Sequence, residues 1–301
     1  MPEDISVPDI LPPSDDGVFK TIMTHPDGEP VLRGVMSDVL DMNFVSVEVH
    51  NVELPISGTD EKQERFDVNC RAISDSGIRI EVEMQADPMK GDSAATKHRN
   101  IKSRAIHNVC DLFTSQPGRG ADYGDFERCF QITFCGYTVF PGRTDFVRRF
   151  SIRDEQGIEL ADNIGIIFIE LTKMREVLKK PVKDMTPLEQ WCIFFKYANN
   201  PKYRGILNEL TTARREIKVA TELLTNISRD EHERALFLSR RIAQRDREHN
   251  YAVARKEGLQ EGRQEGRQEG HMQVFALMEK GYTLEQIKAI LRTEQDKQPV
   301  Q

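Results

Sequence analysis

Two neighbouring stretches of the chain alternate between apolar and polar residues, and this alternation predicts β-strands with one apolar and one polar face. In residues 66–72 the polar face carries Asp67, Asn69 and Arg71. In residues 78–85 it carries Arg79, Glu81, Glu83 and Gln85. The turn-forming residues from Ser74 to Gly77 predict that the two strands form a hairpin, which gathers acidic side chains on one face.

Two registers of this hairpin fit the sequence. A loop of residues 75–77 sets Asp67 opposite Gln85, whereas a loop centred on Asp75 sets Asp67 opposite Glu83. In both registers Asp67, Glu83 and Gln85 lie within one cross-strand or diagonal step, about 5–8 Å between Cβ atoms. The alternation by itself favours a solvated polar face on an edge hairpin, since half-exposed strands often carry acidic residues.

Hydrophobic periodicity predicts further elements on both sides of the hairpin. The predicted helices cover residues 14–23, 30–40, 93–115 and 188–199, and one long charged helix covers residues 204–256. The other predicted strands cover residues 44–54, 129–140 and 164–171. In the helix of residues 93–115 the expected buried stripe consists of Ile101, Ile106, Val109, Leu112 and Phe113.

Residues 257–270 repeat the pattern Glu-Gly-x-x with a period of four. Like charges at this spacing and a cost of about 1 kcal/mol for each glycine argue against an isolated helix. Two interpretations therefore remain open: a hydrated flexible linker, or a helix whose row of glycines permits close pairing with another helix.

The last segment, residues 274–291, predicts an amphipathic helical hairpin that turns at Gly281, Tyr282 and Thr283. Its apolar positions are Phe275, Leu277, Met278, Leu284, Ile287 and Ile290. An apolar stripe this small needs a partner, most simply a second copy of the chain. We therefore expect a homo-oligomer that forms through the C-terminal helical region, residues 204–291.

These features divide the chain into five segments. They are a flexible N-terminal arm (1–13), a compact domain (14–200), a long charged helical region (201–256), the repeat as linker or helix (257–270), and a short helical hairpin and tail (271–301).

Composition limits the class of protein. The chain has 301 residues, a net charge of −7 and five scattered cysteines without a CxxC pair. This cysteine pattern suits a reducing compartment and argues against structural zinc. The sequence has no N-terminal apolar run of the kind found in signal peptides, and no stretch of about 20 apolar residues that could form a membrane helix. We therefore expect a cytoplasmic protein with no membrane segment.

Positive charge is concentrated locally in spite of the net acidity. One basic cluster follows the acidic hairpin and contains Lys97, His98, Arg99, Lys102 and Arg104. A second contains Arg143, Arg148, Arg149 and Arg153.

Several motifs, taken in their order, resemble the Rpn-like, transposase-associated nucleases of the PD-(D/E)XK superfamily. Residues 16–20 (DGVFK) resemble the D-x-x-F-K opening of that family. The core of that family, in which glutamine replaces the superfamily's lysine, is similar to three successive parts of this chain: residues 65–68 (RFDV), Gly77 and residues 82–85 (VEMQ). Later landmarks are residues 120–123 (GADY), residues 170–173 (ELTK), Trp191 with Phe194 and Phe195, and the Glu-Gly repeats. One departure is that the helix after VEMQ holds Arg104, His107 and Asn108 where relatives carry tyrosines.

The resemblance implies an α/β fold with a restriction-endonuclease-like core, a mixed central sheet flanked by helices, and an α-helical C-terminal extension. It implies an endonuclease that hydrolyses double-stranded DNA with Mg²⁺, with Mn²⁺ able to substitute, and that promotes recombination. Asp67, Glu83 and Gln85 would be catalytic. The metal ligands would be Asp67, Glu83 and the backbone carbonyl of Met84.

Asp16 has two interpretations that the sequence leaves open. It is either a further metal ligand or an ordinary acid at the N-cap or in the first turn of a helix, stabilised by the helix dipole. Glu81 shares the face of Glu83 and is treated as a neighbour. The expected DNA contacts are Lys20, Lys97, Arg99, Lys102 and Arg104. The alternative function is that of a catalytically inactive nuclease fold that serves in DNA binding or oligomeric assembly.

Overall fold

A six-stranded mixed sheet forms the centre of the molecule in the computed structural model, which describes residues 10–51, 68–73, 77–87, 93–116 and 122–295. The strands are β1 (Ser46–Asn51), β2 (Val68–Ile73), β3 (Ile78–Gln85), β4 (Arg128–Cys135), β5 (Val147–Ser151) and β6 (Ile164–Glu170). Their order in the sheet is β1-β2-β3-β4-β6-β5. Strands β3, β4 and β6 run parallel, and the outer pairs are antiparallel.

Eight α-helices accompany the sheet in the described part of the chain. They are α1 (Asp16–Thr24), α2 (Glu29–Leu40), α3 (Ala94–Thr114), α4 (Pro187–Tyr197), α5 (Arg204–Ala213), α6 (Arg215–Arg229), α7 (Glu231–Glu279) and α8 (Leu284–Gln295). None of them is long and apolar enough to cross a membrane. The expectation of a mixed sheet flanked by helices, with helices at the C-terminus, is confirmed.

The two faces of the sheet are covered differently. The apolar side chains of β3 belong to a large core that also includes residues of α1, α2, α4 and α6. An aromatic cluster lies within it, where the ring of Phe19 is 5.8 Å from that of Phe134 and 5.3 Å from that of Phe195. On the opposite face α3 contributes Ile101 and Ala105 to a second, smaller core. On the polar face of the hairpin Glu81 and Glu83 are buried, contrary to the expectation of a solvated face, whereas Arg71, Arg79 and Gln85 are half-buried.

The structure corrects several predicted elements. The single helix predicted for residues 204–256 is three helices, α5, α6 and α7, because the chain is extended at Arg214 and Asp230. Ile106 is 55% exposed, and Ala105 and Asn108 take inward positions instead. The predicted strand 129–140 ends at Cys135. The edge strand β5 was not predicted.

By its internal contacts the chain divides into two units, Met1–Phe237 and Leu238–Gln301. Leu210, Ile217 and Leu224, from α5 and α6, belong to the core of the first unit. In the second unit the Glu-Gly repeat is helical, as one of its two interpretations requires. Of the apolar residues predicted for the terminal hairpin, Ile287 is buried, whereas Phe275, Met278 and Leu284 are exposed.

Candidate active site

The candidate site lies at the C-terminal end of β3, between that strand, α3 and the start of α1. The first two turns of α3 are fixed by Ser93, whose hydroxyl caps the helix by accepting a hydrogen bond from the N–H of Thr96. Arg104 follows Ile101 by about one helical turn. It therefore lies on the same side of α3 as Ile101, which is buried against the sheet.

Glu83 is more enclosed than its neighbour Glu81, with 2% of its surface exposed against 7%. Its Oε1 accepts a hydrogen bond of 3.1 Å from the hydroxyl of Thr133, its register partner on β4. Its Oε2 lies 2.7 Å from Nη2 of Arg104. A buried carboxylate is retained only where such partners compensate for the lost hydration, and Glu83 has both a neutral and a cationic one.

Gln85 lies beside Glu83 on the same face and shares the same arginine. Its Oε1 accepts a hydrogen bond of 3.2 Å from Nη1 of Arg104, and its Nε2 donates to the backbone carbonyl of Asp87. The strand end is also held by β4, because the N–H of Gly136 donates to the carbonyl of Gln85. A Cβ at position 136 would lie 2.3 Å from the carbonyl oxygen of Ala86, so this approach requires glycine.

Asp16 reaches the same end of β3 from the first turn of α1. Its Oδ1 accepts a hydrogen bond of 2.8 Å from the N–H of Ala86. The N-cap of α1 is Asp15, which accepts from the N–H groups of Gly17 and Val18. Burial raises the pKa of Asp16 from 3.8 to about 7, with smaller contributions from Asp15 and Asp87 that raise it further and from Arg104 that lowers it. Asp16 is therefore a first-turn acid that also faces the site.

A second buried polar row lies one step back along the sheet. The register aligns Asn69, Glu81 and Gln131 across β2, β3 and β4. Glu81 accepts a hydrogen bond from Nδ2 of Asn108 on α3. Gln131 donates to Thr133 at 3.3 Å. The side-chain oxygens of Asn69 and Gln131 are buried and have no hydrogen-bond partner among the described residues.

Sequence reasoning missed Asn108, Gln131 and Thr133 as parts of this polar face. A signal for two of them was present: Gln131 and Thr133 are two polar residues, two positions apart, in an otherwise apolar strand. That spacing places both on one face of β4. Asn108 follows Arg104 by four residues on the same face of α3, which is the spacing of helical neighbours.

The hairpin adopts the second of the two registers considered for it. Val68 pairs with Val82, Asn69 with Glu81 and Ala72 with Ile78, which centres the connection on Asp75. Asp67, the first predicted metal ligand, lies outside the described residues. The same holds for the expected landmarks at residues 65–66 and 120–121.

The residues expected to contact DNA occupy different surroundings. Lys20 is 9% exposed on α1, and Arg99 is exposed on α3. Lys97 is half-buried, and Nζ of Lys102 lies 4.5 Å from the centre of the Phe140 ring. Arg104, from the same set, is joined to both Glu83 and Gln85.

The oxygen chemistry of the site suits a hard divalent cation, which prefers carboxylate, carbonyl and water ligands. Glu83 and Asp16 supply carboxylates at one end of β3, and Gln85 adds an amide there. Among the described residues, however, no group of three or more His, Cys, Asp or Glu side chains is arranged to hold a metal. Arg104 places a positive charge beside Glu83.

Comparison with known proteins agrees with the motifs and the fold. No curated protein and no solved structure is significantly similar to the chain. The model of one family, described as PD-(D/E)XK nuclease family transposase, matches residues 13–254. That span contains the whole sheet and helices α1 to α6, together with the site at the end of β3. The chain therefore belongs to the PD-(D/E)XK nuclease family transposases.

Proposed function

We propose that the protein is a Mg²⁺-dependent DNA endonuclease of the transposase-associated, recombination-promoting type. Its family supports a nuclease-type function on DNA, and nucleases of this superfamily generally use divalent metals. The observation that carries the proposal is the meeting of Glu83, Gln85 and Asp16 at one end of β3. Burial of an acid at a strand end is costly, and here the hydroxyl of Thr133 and the guanidinium of Arg104 compensate for it at Glu83.

Asp67 belongs to the proposed set on the strength of its sequence motif. Of the two registers that the sequence allows, the one centred on Asp75 sets Asp67 opposite Glu83. Asp67 and Glu83 are then the main carboxylate ligands, and the backbone carbonyl of Met84 completes the protein's share of the shell. Asp16 is the candidate third carboxylate.

A divalent ion held there would polarise the scissile phosphate and lower the pKa of a bound water. Mg²⁺ suits oxygen ligands of this kind, and Mn²⁺ accepts the same ones. Gln85 has an amide that does not titrate near neutrality, so it does not serve as a base. Its role is to orient the attacking water or a phosphate oxygen by hydrogen bonding.

DNA would approach along α3. Lys97, Arg99 and Lys102 lie on that helix and would bind phosphates, which gives affinity that depends on salt and not on sequence. Lys20, on α1, and Arg104, on α3, complete the proposed set of phosphate contacts. Association of two copies through the C-terminal helical region belongs to the same proposal.

The proposal is tested by incubating purified protein with supercoiled plasmid in Mg²⁺, Mn²⁺, Ca²⁺ and EDTA. We expect nicked or linear product with Mg²⁺ and Mn²⁺, and none with EDTA or with Asp67→Ala. Plasmid that stays intact in every metal, while the protein still retards DNA in a gel, would favour the inactive DNA-binding alternative.

A further inference from the structure

The guanidinium of Arg104 occupies the cationic position next to the acids of the proposed metal site. Its Nη2 lies 2.7 Å from Oε2 of Glu83, and its Nη1 lies 3.2 Å from Oε1 of Gln85. One side chain thus joins the two residues to which the proposed chemistry assigns metal binding and water orientation.

The surroundings make this contact strong. Glu83 is 2% exposed, and the side chain of Arg104 is 26% exposed. An ion pair shielded from water is screened little by salt, and removing one partner leaves an uncompensated charge. Arg104 therefore stabilises the negative charge of Glu83 without any metal.

A divalent cation at Glu83 would meet this guanidinium at close range. Two positive charges beside one carboxylate repel each other, and the repulsion is larger in a site of low polarity than in water. The other oxygen of Glu83 already accepts a hydrogen bond from Thr133. The metal and Arg104 are therefore in competition for the same carboxylate.

We propose that Arg104 is an internal cation that a divalent metal displaces from Glu83, so that Arg104 sets the metal affinity of the site and its guanidinium becomes available to a DNA phosphate. This inference rests on the proposed nuclease function. Guanidinium binds phosphate oxygens with the same pair of donors that it uses for a carboxylate, which makes a phosphate its natural second partner. Arg104 is thus a positioning residue that links metal entry to substrate contact.

The experiment is a calorimetric titration of Mg²⁺, and separately of Ca²⁺, into the full-length protein without DNA. Arg104→Met removes the competing charge, and Arg143→Met is the matched control because Arg143 is an exposed arginine in the loop after β4. We expect Arg104→Met to bind the metal about tenfold more tightly than the wild type and Arg143→Met to bind it like the wild type. An affinity of Arg104→Met equal to or weaker than that of the wild type would overturn the inference.

A second background shows whether Glu83 is the contested ligand. In the presence of Glu83→Gln, adding Arg104→Met should change metal affinity no more than Arg143→Met does. A tenfold gain that persists in the Glu83→Gln background would contradict competition at this carboxylate.

Thermal unfolding tests the same inference even if Arg104→Met is poorly folded. Without metal, Arg104→Met should melt lower than Arg143→Met, because Glu83 loses its cation. Mg²⁺ should raise its melting temperature more than it raises that of the wild type, through binding to the folded state. If Arg104→Met is unfolded without metal, refolding on addition of Mg²⁺ supports the inference, and failure to refold counts against it.

Failure of this inference is distinguishable from failure of the proposed function. If the wild type cleaves DNA in a metal-dependent way and Arg104→Met has unchanged metal affinity, only the proposed competition between Arg104 and the metal is wrong. Absence of both metal binding and cleavage in the wild type removes the proposed function, and the inference with it.

Discussion

The side chain of Asp16 accepts a hydrogen bond of 2.8 Å from the backbone N–H of Ala86, which joins two residues that are 70 positions apart in the chain. Ala86 follows Gln85 directly, so this bond fixes the first turn of α1 against the end of β3. The motif at residues 16–20 and the motif at residues 82–85 thus lie together at the end of β3, although no local pattern connects them.

The first prediction concerns Asp16 and pH. Burial raises its pKa from 3.8 to about 7, so between these values the folded protein holds a proton that the unfolded chain releases. The contribution of this group to stability is therefore fully present below pH 3.8 and is lost as pH rises through about 7. In EDTA, the free energy of unfolding of the wild type relative to Asp16→Asn should fall by up to about 1.4 kcal/mol per pH unit in that window.

Urea unfolding at several pH values measures this difference. Asp145→Asn is the control for an exposed carboxylate, since the side chain of Asp145 is 74% exposed and its partner is Arg148. A wild-type advantage that grows with rising pH would show that the pKa of Asp16 is lowered, contrary to the expectation.

The second prediction concerns Glu170, the fully buried last residue of β6. Its Oε1 accepts hydrogen bonds from the N–H groups of Val139 and Phe140, at 2.7 and 3.0 Å, and its other oxygen pairs with Lys173. Glu170→Ala leaves two donors and a cation without this partner. We expect a loss of about 3–5 kcal/mol in the free energy of unfolding.

The pair of Glu176 and Lys179 is a matched control, because it has the same spacing and both side chains are largely exposed. Glu176→Ala should cost less than about 1 kcal/mol. Equal losses in the two variants would mean that the buried carboxylate does not anchor the loop after β4.

The third prediction concerns thiol reactivity. Burial raises the pKa of Cys70 to about 12 and that of Cys129 to about 11, and it also raises the pKa values of Cys135 and Cys192. Cys110 is exposed on α3. A thiol reagent at pH 8 should therefore modify one cysteine rapidly in the native protein, and none in Cys110→Ser. Rapid modification of a second thiol would contradict the packing described here.

The fourth prediction concerns self-association. The second unit exposes Met272, Phe275 and Met278 on α7, and an added Cβ at Gly262 or Gly266 would meet no atom within 4 Å. Light scattering at micromolar concentration should give at least a dimer. If the glycine row allows two helices to approach closely, Gly262→Ala with Gly266→Ala should weaken association even though alanine favours the helix by about 1 kcal/mol per site. A wild-type monomer would contradict the proposal.

Much of the site's framework could be read from the sequence, because strand alternation depends on local backbone geometry. The common face of Glu81, Glu83 and Gln85 is an example. The choice between two hairpin registers was open, since both keep each residue on its face and only tertiary packing selects one. The register observed is the one centred on Asp75.

The contacts of the cations could not be read in this way. Arg104 was expected to meet DNA as part of a basic cluster, and the structure joins it to Glu83, which is 21 positions earlier in the chain. Arg149, counted as surface charge, donates to the carbonyl of Val39 at 2.7 Å. Periodicity identifies the face of a helix or strand that carries a charge. It does not identify the element that packs against that face. The edge strand β5 and the helix breaks at Arg214 and Asp230 were also not predicted.

Plasmid cleavage by Glu83→Gln and Glu81→Gln, compared with the wild type, tests the central claim most directly. Both acids lie on the same face of β3 and both are buried; Glu83 contacts Arg104 at the proposed metal site, and Glu81 accepts a hydrogen bond from Asn108. With Mg²⁺ or Mn²⁺ we predict cleavage by the wild type and by Glu81→Gln, and a loss of about a hundredfold or more in Glu83→Gln. Undiminished metal-dependent cleavage by Glu83→Gln would contradict the assignment of the active site to the end of β3.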